Sequence, residues 1–191
     1  MGWDRIIEIT GFIVGLIYLW YEYHANPRVW LVSVIMPLIS MWLYFRKGLY
    51  ADFGINIYYV AIAVYGYLRW TRNGNEKQSD ANAPVTHVPS RIAVGCAVVF
   101  AILWGCLYLL LEYCTDSTVP VPDAFTTALS IVALWMMARK YAEQWLGWLV
   151  VDAVCVGLYI YKDIPFYAAL YAVYTVIAWL GYRKWLGMIK K

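Results

Sequence analysis

Six residues in one stretch of the chain, Tyr141, Trp145, Trp148, Asp152, Cys155 and Tyr159, follow one another at intervals of 4, 3, 4, 3 and 4. On a helix turning 100° per residue they fall within about 80° of one another. One stripe therefore carries large amphipathic aromatics around a single carboxylate. Aromatic faces attract a cation by about 0.5–2 kcal/mol, and a carboxylate withdrawn from water gains from a counterion. The chemistry this pattern can do is the capture of a flat organic cation. An anionic or phosphorylated ligand would meet no Lys or Arg in the middle of the apolar runs. Asp152 stands near the centre of its own run, and an ionisable residue at bilayer depth costs about 2.5–3.5 kcal/mol or more, which makes it a functional candidate. The alternative is that a protonated Asp152 bonds a neighbouring helix and the stripe is core.

A second face is carried by Asp52, Asn56, Tyr59, Ala63, Gly66 and Trp70, polar at one end and small in the middle, as the wall of a solute path would be. Asn56 and Tyr59 can both donate and accept hydrogen bonds to a polar ligand, although Asn56 could equally bond a neighbouring helix. Tyr167, Tyr171 and Tyr174 form a comparable stripe. Nothing points to catalysis: the two histidines, His24 and His87, fall in a loop and a linker where solvated side chains are expected, and Cys96, Cys106, Cys114 and Cys155 make no CxxC. No enzyme, metal site or cofactor is expected, nor a nucleic-acid partner.

Positioning such stripes requires membrane helices. The 191 residues are 63% hydrophobic and only 14% charged, with a mean hydropathy of +0.59, which excludes an ordinary soluble domain. Apolar runs predict seven transmembrane helices near 6–23, 29–45, 53–70, 92–112, 124–138, 143–161 and 164–182. If the loops alternate, 11 Lys and Arg residues lie on one side and 4 on the other, which puts the N-terminus outside and the C-terminus in the cytoplasm. Gly11 and Gly15 form a GxxxG that allows close helix contact, and Pro37 interrupts the second helix.

Sliding the chain against itself by 115 residues aligns Trp20 with Trp135, Trp30 with Trp145, Tyr59 with Tyr174, and Gly66, Tyr67 and Trp70 with Gly181, Tyr182 and Trp185. Pro37, the counterpart of Asp152, cannot supply the same interhelical contact. Helices 1–3 thus repeat as 5–7, and a single linking helix keeps the copies parallel. The expected fold is an all-α integral membrane protein with 3+1+3 parallel repeats: a first repeat over 1–70, a polar linker over 71–90, a linking helix over 91–119 and a second repeat over 120–191.

The runs GLYADFGINIYYVAIAVYG (48–66), ARKYAEQWLGWLVVDAVCVGLY (138–159) and LGYRKW (180–185) resemble the PnuC vitamin-transporter family, and the resemblance covers nearly the whole chain. It implies a SWEET-like 3+1+3 fold, homotrimers in a bacterial plasma membrane, and facilitated diffusion of an unphosphorylated vitamin trapped afterwards by a cytoplasmic kinase or pyrophosphokinase. Carried onto matching positions, it implicates Asn56, Tyr59, Trp145, Trp148 and Asp152 in the pocket, beside Tyr141, Tyr171 and Tyr174 from the stripes. The family divides by substrate into nicotinamide riboside, thiamine (the PnuT type) and riboflavin transporters. In the nicotinamide riboside pattern the position of Asp152 is usually Asn. A carboxylate suits the aminopyrimidine and thiazolium of thiamine, so thiamine is the expected substrate, with nicotinamide riboside, also a flat cation, next and neutral riboflavin third. The reading from another class is a membrane receptor or scaffold whose aromatic stripe is only packing.

Overall fold

The computed structural model describes residues 14–47, 50–72, 84–115 and 118–189. It is all-helical: α1 is described over 14–23, followed by α2 (Arg28–Lys47), α3 (Tyr50–Arg72), α4 (Ser90–Cys114), α5 (Pro120–Ala138), α6 (Gln144–Tyr161) and α7 (Pro165–Met188). The chain forms two compact units, Met1–Ala83 and Pro84–Lys191. Among the described residues, four helices, α4 to α7, are long and apolar enough to cross a membrane.

Helix boundaries depart from the apolar runs where backbone chemistry outweighs hydropathy. Pro120 and Pro122 lie inside the first turn of α5 rather than before it, because a first-turn residue has no helical N–H bond to lose. Helix α7 continues through Arg183 and Lys184 to Met188, six residues past the expected end at 182. Long basic side chains can reach the interface while the backbone keeps its helical bonds. Pro37 lies inside α2, which runs on to Lys47. Gly11 lies outside the described residues, and no described atom comes within 4 Å of where a Cβ on Gly15 would stand.

Three helices end in the same way. After α5, Lys140 adopts a positive φ of 57°, its N–H donates to the Met137 carbonyl at 2.8 Å, and the Tyr141 N–H reaches back to Met136 at 3.1 Å. This is the Schellman closure, which satisfies carbonyls left open at a helix terminus. After α1, Ala25 (φ 49°) and Asn26 repeat it against Glu22 and Tyr21, at 2.9 Å each. After α6, Asp163 (φ 56°) and Ile164 repeat it against Ile160 and Tyr159, at 3.1 and 2.9 Å. Ala25 and Lys140 are 115 residues apart.

The cores of the two units share a further detail. In the first, α2 packs on α3, with Trp30 and Trp70 fully buried and meeting edge to face at 5.4 Å; a Cβ on Gly66 would run into the Trp30 ring. In the second, Trp145 and Trp185 meet edge to face at 5.9 Å, and a Cβ on Gly181 would come within 2.7 Å of the Trp145 ring. Each glycine is therefore a seat for an indole.

Within the second unit α6 packs against both α5 and α7, and α4 packs against α5. Gly147 on α6 brings the backbone to within 3.0 Å, measured at its would-be Cβ, of the Ala133 Cβ on α5. The α4–α5 junction is an aromatic cluster of Phe100, Trp104 and Phe125, and the Trp104 indole N–H donates to the Val121 carbonyl at 3.3 Å.

The end of the expected polar linker is docked on the second unit. The Thr86 N–H donates to the Lys140 carbonyl at 3.1 Å and the Thr86 carbonyl accepts from the Ala142 N–H at 3.0 Å, so residues 84–88 strap the α5–α6 corner. Glu143 completes the strap: one carboxylate oxygen meets His87 Nδ1 at 2.7 Å and the other accepts the Val88 N–H at 2.9 Å. His87, expected to be merely solvated, is held although exposed; His24 is exposed and bonded to the Trp20 carbonyl at 2.8 Å.

Candidate membrane solute site

Asp152 lies midway along α6, 8% exposed, where the apolar helix leaves little water for a carboxylate. It is in electrostatic contact with Cys155 one turn on, and with Tyr171 and Tyr174 of α7. Because α6 packs on α7, the two stripes read from the sequence face the same junction. Tyr171 meets Tyr174 edge to face at 5.8 Å, and stacks on Tyr159 of α6 at 5.2 Å with an interplanar angle of 16°. The phenols of Tyr159 and Tyr171 share a hydrogen bond. One turn before Asp152, the Trp148 indole Nε1 is buried with no hydrogen-bond partner. A carboxylate, three phenols and an indole donor thus come from one helix pair, which suits a polar, flat, positively charged molecule.

Other residues expected at the site have different surroundings. Trp145 is the indole seated on Gly181 and crossed by Trp185, so its ring fills the α6–α7 junction. Tyr141 precedes α6, in the corner; its ring lies 6.3 Å from Trp135, and the Arg139 guanidinium stands over both rings, at 6.0 and 5.4 Å. Asn56 and Tyr59 belong to α3 in the first unit, where Asn56 is buried and Tyr59, half-buried, contacts the Tyr58 ring at 5.9 Å. The Asp52 side chain lies outside the described residues.

Two features escaped the sequence reading. Asp123, in the first turn of α5, acts electrostatically on Cys155 and Tyr159 of α6. Tyr159 is also stacked on Tyr167, at 5.2 Å. An open groove of about 310 Å³, lined by Val119, Pro122, Val154, Gly157, Leu158 and Tyr161, occupies a different side of α6 and contains none of the candidate residues. Among the described residues, no three His, Cys, Asp or Glu side chains are grouped to hold a metal ion.

Several apolar helices with a buried carboxylate among aromatics mark a multi-pass membrane protein, and its family match makes it one of the transporter class. The chain belongs to the nicotinamide mononucleotide transporter family, which it matches over residues 5–187. It is 28% identical to the riboflavin/roseoflavin transporter RibM of Streptomyces davaonensis, over 93% of this chain and 83% of that one. It is 24% identical to the nicotinamide riboside transporter PnuC of Escherichia coli K12, over 97% and 87% respectively. A crystal structure of the vitamin B3 transporter PnuC superposes with a TM-score of 0.68 at 19% identity, covering 93% of this chain and 79% of that one, which is a likeness of fold.

Proposed function

We propose that this protein carries a flat, cationic, unphosphorylated vitamin across the membrane by facilitated diffusion, and that nicotinamide riboside is its substrate. The observation that carries the reading is Asp152, a buried carboxylate flanked by Tyr171, Tyr174 and the open indole donor of Trp148. A pyridinium ring supplies the positive charge that such a carboxylate needs and the face that aromatic rings attract. The relatives' names move nicotinamide riboside ahead of thiamine, the first expectation from sequence. Thiamine is the second reading, favoured by the carboxylate itself, which suits the aminopyrimidine and thiazolium. Riboflavin lacks the charge. Asn56 and Tyr59 stay candidate solute-binding residues of the first unit on this reading, and Trp145 and Tyr141 of the second support it by packing.

The 3+1+3 arrangement of the SWEET-like fold belongs to the same proposal. It is supported by the matched closures at Ala25 and Lys140 and the matched indole seats at Gly66 and Gly181. So do a bacterial plasma-membrane location with the N-terminus outside and the C-terminus in the cytoplasm, a homotrimer, and a cytoplasmic kinase that traps the vitamin. No GxxxxGK[ST] phosphate loop occurs in the sequence, so movement down a gradient needs no ATP.

Binding isotherms of the purified protein with nicotinamide riboside, thiamine and riboflavin, followed by counterflow in proteoliposomes, test this. Tightest binding and exchange of nicotinamide riboside is expected. Absence of counterflow with all three would leave a receptor or scaffold.

A further inference from the structure

The ring column beside Asp152 continues to the end of the second unit where α5 begins, α6 ends and α7 begins, and there a second carboxylate stands. We infer that Asp123, with the stacked rings of Tyr159 and Tyr167, forms a separate docking station at which a flat organic cation pauses before moving along Tyr171 to Asp152. This rests on the reading that the protein carries such a cation.

Asp123 is half-buried in the first turn of α5 and acts on Tyr159 across the α5–α6 contact. Tyr159 has stacked neighbours in Tyr167, at 24°, and Tyr171, at 16°, both with centroids 5.2 Å away. Tyr167 is 48% exposed, so the column starts at the rim, and Tyr171 and Tyr174 bring it within electrostatic contact of Asp152. The seven residues from Asp152 to Tyr159 separate the two levels by about 10 Å along α6. Aromatic rings with a carboxylate at each end thus run from the rim to the middle of α6. Such a path lowers the barrier between bulk water and the deep site without changing the affinity of that site. Lys162 acts on Cys155 from the same end and opposes the attraction.

The test is initial influx of nicotinamide riboside into proteoliposomes well below half-saturation, paired with equilibrium binding in detergent. Asp123→Asn is expected to reduce influx roughly tenfold while the dissociation constant stays within about twofold. Asp123→Glu should restore influx, Tyr167→Leu should reproduce the loss, and Lys162→Gln should raise influx. The neutral dihydronicotinamide riboside should be indifferent to Asp123→Asn. Unchanged influx in a monodisperse Asp123→Asn protein overturns the station, and so does an equal loss for the neutral compound. Should Asp123→Asn fail to fold, Lys162→Gln decides: no gain in influx overturns the station. Wild-type protein that carries neither nicotinamide riboside nor thiamine overturns the transport reading itself, before any variant is compared.

Discussion

Trp145 lies across Gly181 so closely that a Cβ on the glycine would stand 2.7 Å from its indole ring. The contact joins α6 to α7, and Trp185 braces it edge to face. Gly181→Ala therefore forces the ring or the helix to move and should destabilise the protein by about 1–3 kcal/mol, as over-packing does. Thermal melts in detergent should show the loss. Trp145→Phe in the same chain should make it less than additive.

Asp152→Asn should weaken thiamine binding by about 1–3 kcal/mol, since a desolvated cation loses its charged partner while the near-isosteric amide preserves packing. The same change should improve nicotinamide riboside relative to thiamine, because its carboxamide can exchange two hydrogen bonds with an amide. Calorimetry with both ligands measures this. Unaltered thiamine affinity in a monodisperse variant would remove Asp152 from the site.

Ala25 holds a left-handed backbone that a Cβ disfavours by about 1–2 kcal/mol, against the roughly 0.5–1 kcal/mol of extra chain entropy that glycine loses. Ala25→Gly should thus raise the melting temperature slightly, by the equivalent of about 0.5 kcal/mol. A lowered melting temperature would mean that the buried methyl contributes more than the backbone relief.

Lys140 is 2% exposed, and burial brings its ammonium pKa down from 10.5 to about 8. Below pH 8 both folded and unfolded chains hold the proton, and the folded state bears the full penalty. Between pH 8 and roughly 10.4 only the unfolded chain holds it, so stability should rise with pH across that window, by about 3 kcal/mol at most. Lys140→Met should flatten this rise in pH-dependent melts. Parallel slopes for the two proteins would refute it.

Glu143→Gln should loosen residues 84–88, because the carboxylate holds both His87 and the Val88 N–H. Amide exchange at Val88 should quicken by about tenfold, the equivalent of one charge-assisted hydrogen bond. Exchange in the middle of α6 should stay as it was.

The helices were legible because apolar runs and proline breaks mark membrane spans directly. Residue types alone paired Trp30 with Trp145 and Gly66 with Gly181, but not that each indole rests on its glycine. Helical spacing reports which residues share a face and is silent about what that face meets. For the same reason the stripe could not show that the Trp145 ring lies on Gly181 and against Trp185. Asp123 was hidden by its position: an acid in a first turn beside prolines is ordinary helix chemistry, and its partners on α6 are about thirty residues away in sequence. The strap at Thr86 and His87 was hidden likewise, since its partners Lys140 and Glu143 lie more than fifty residues on.

Helix α4 contributes no buried residue, and within the second unit it packs on α5 alone. Its 25 residues are long and apolar enough to cross a membrane, and hydrocarbon accepts Leu, Val, Ile or Phe with little distinction of shape. Outside the Phe100 and Trp104 contact, its sequence is free to drift as long as it stays oily and long enough to span. That freedom makes it a suitable place for a photo-crosslinking or fluorescent residue that reports on the surrounding lipid while leaving the solute site undisturbed.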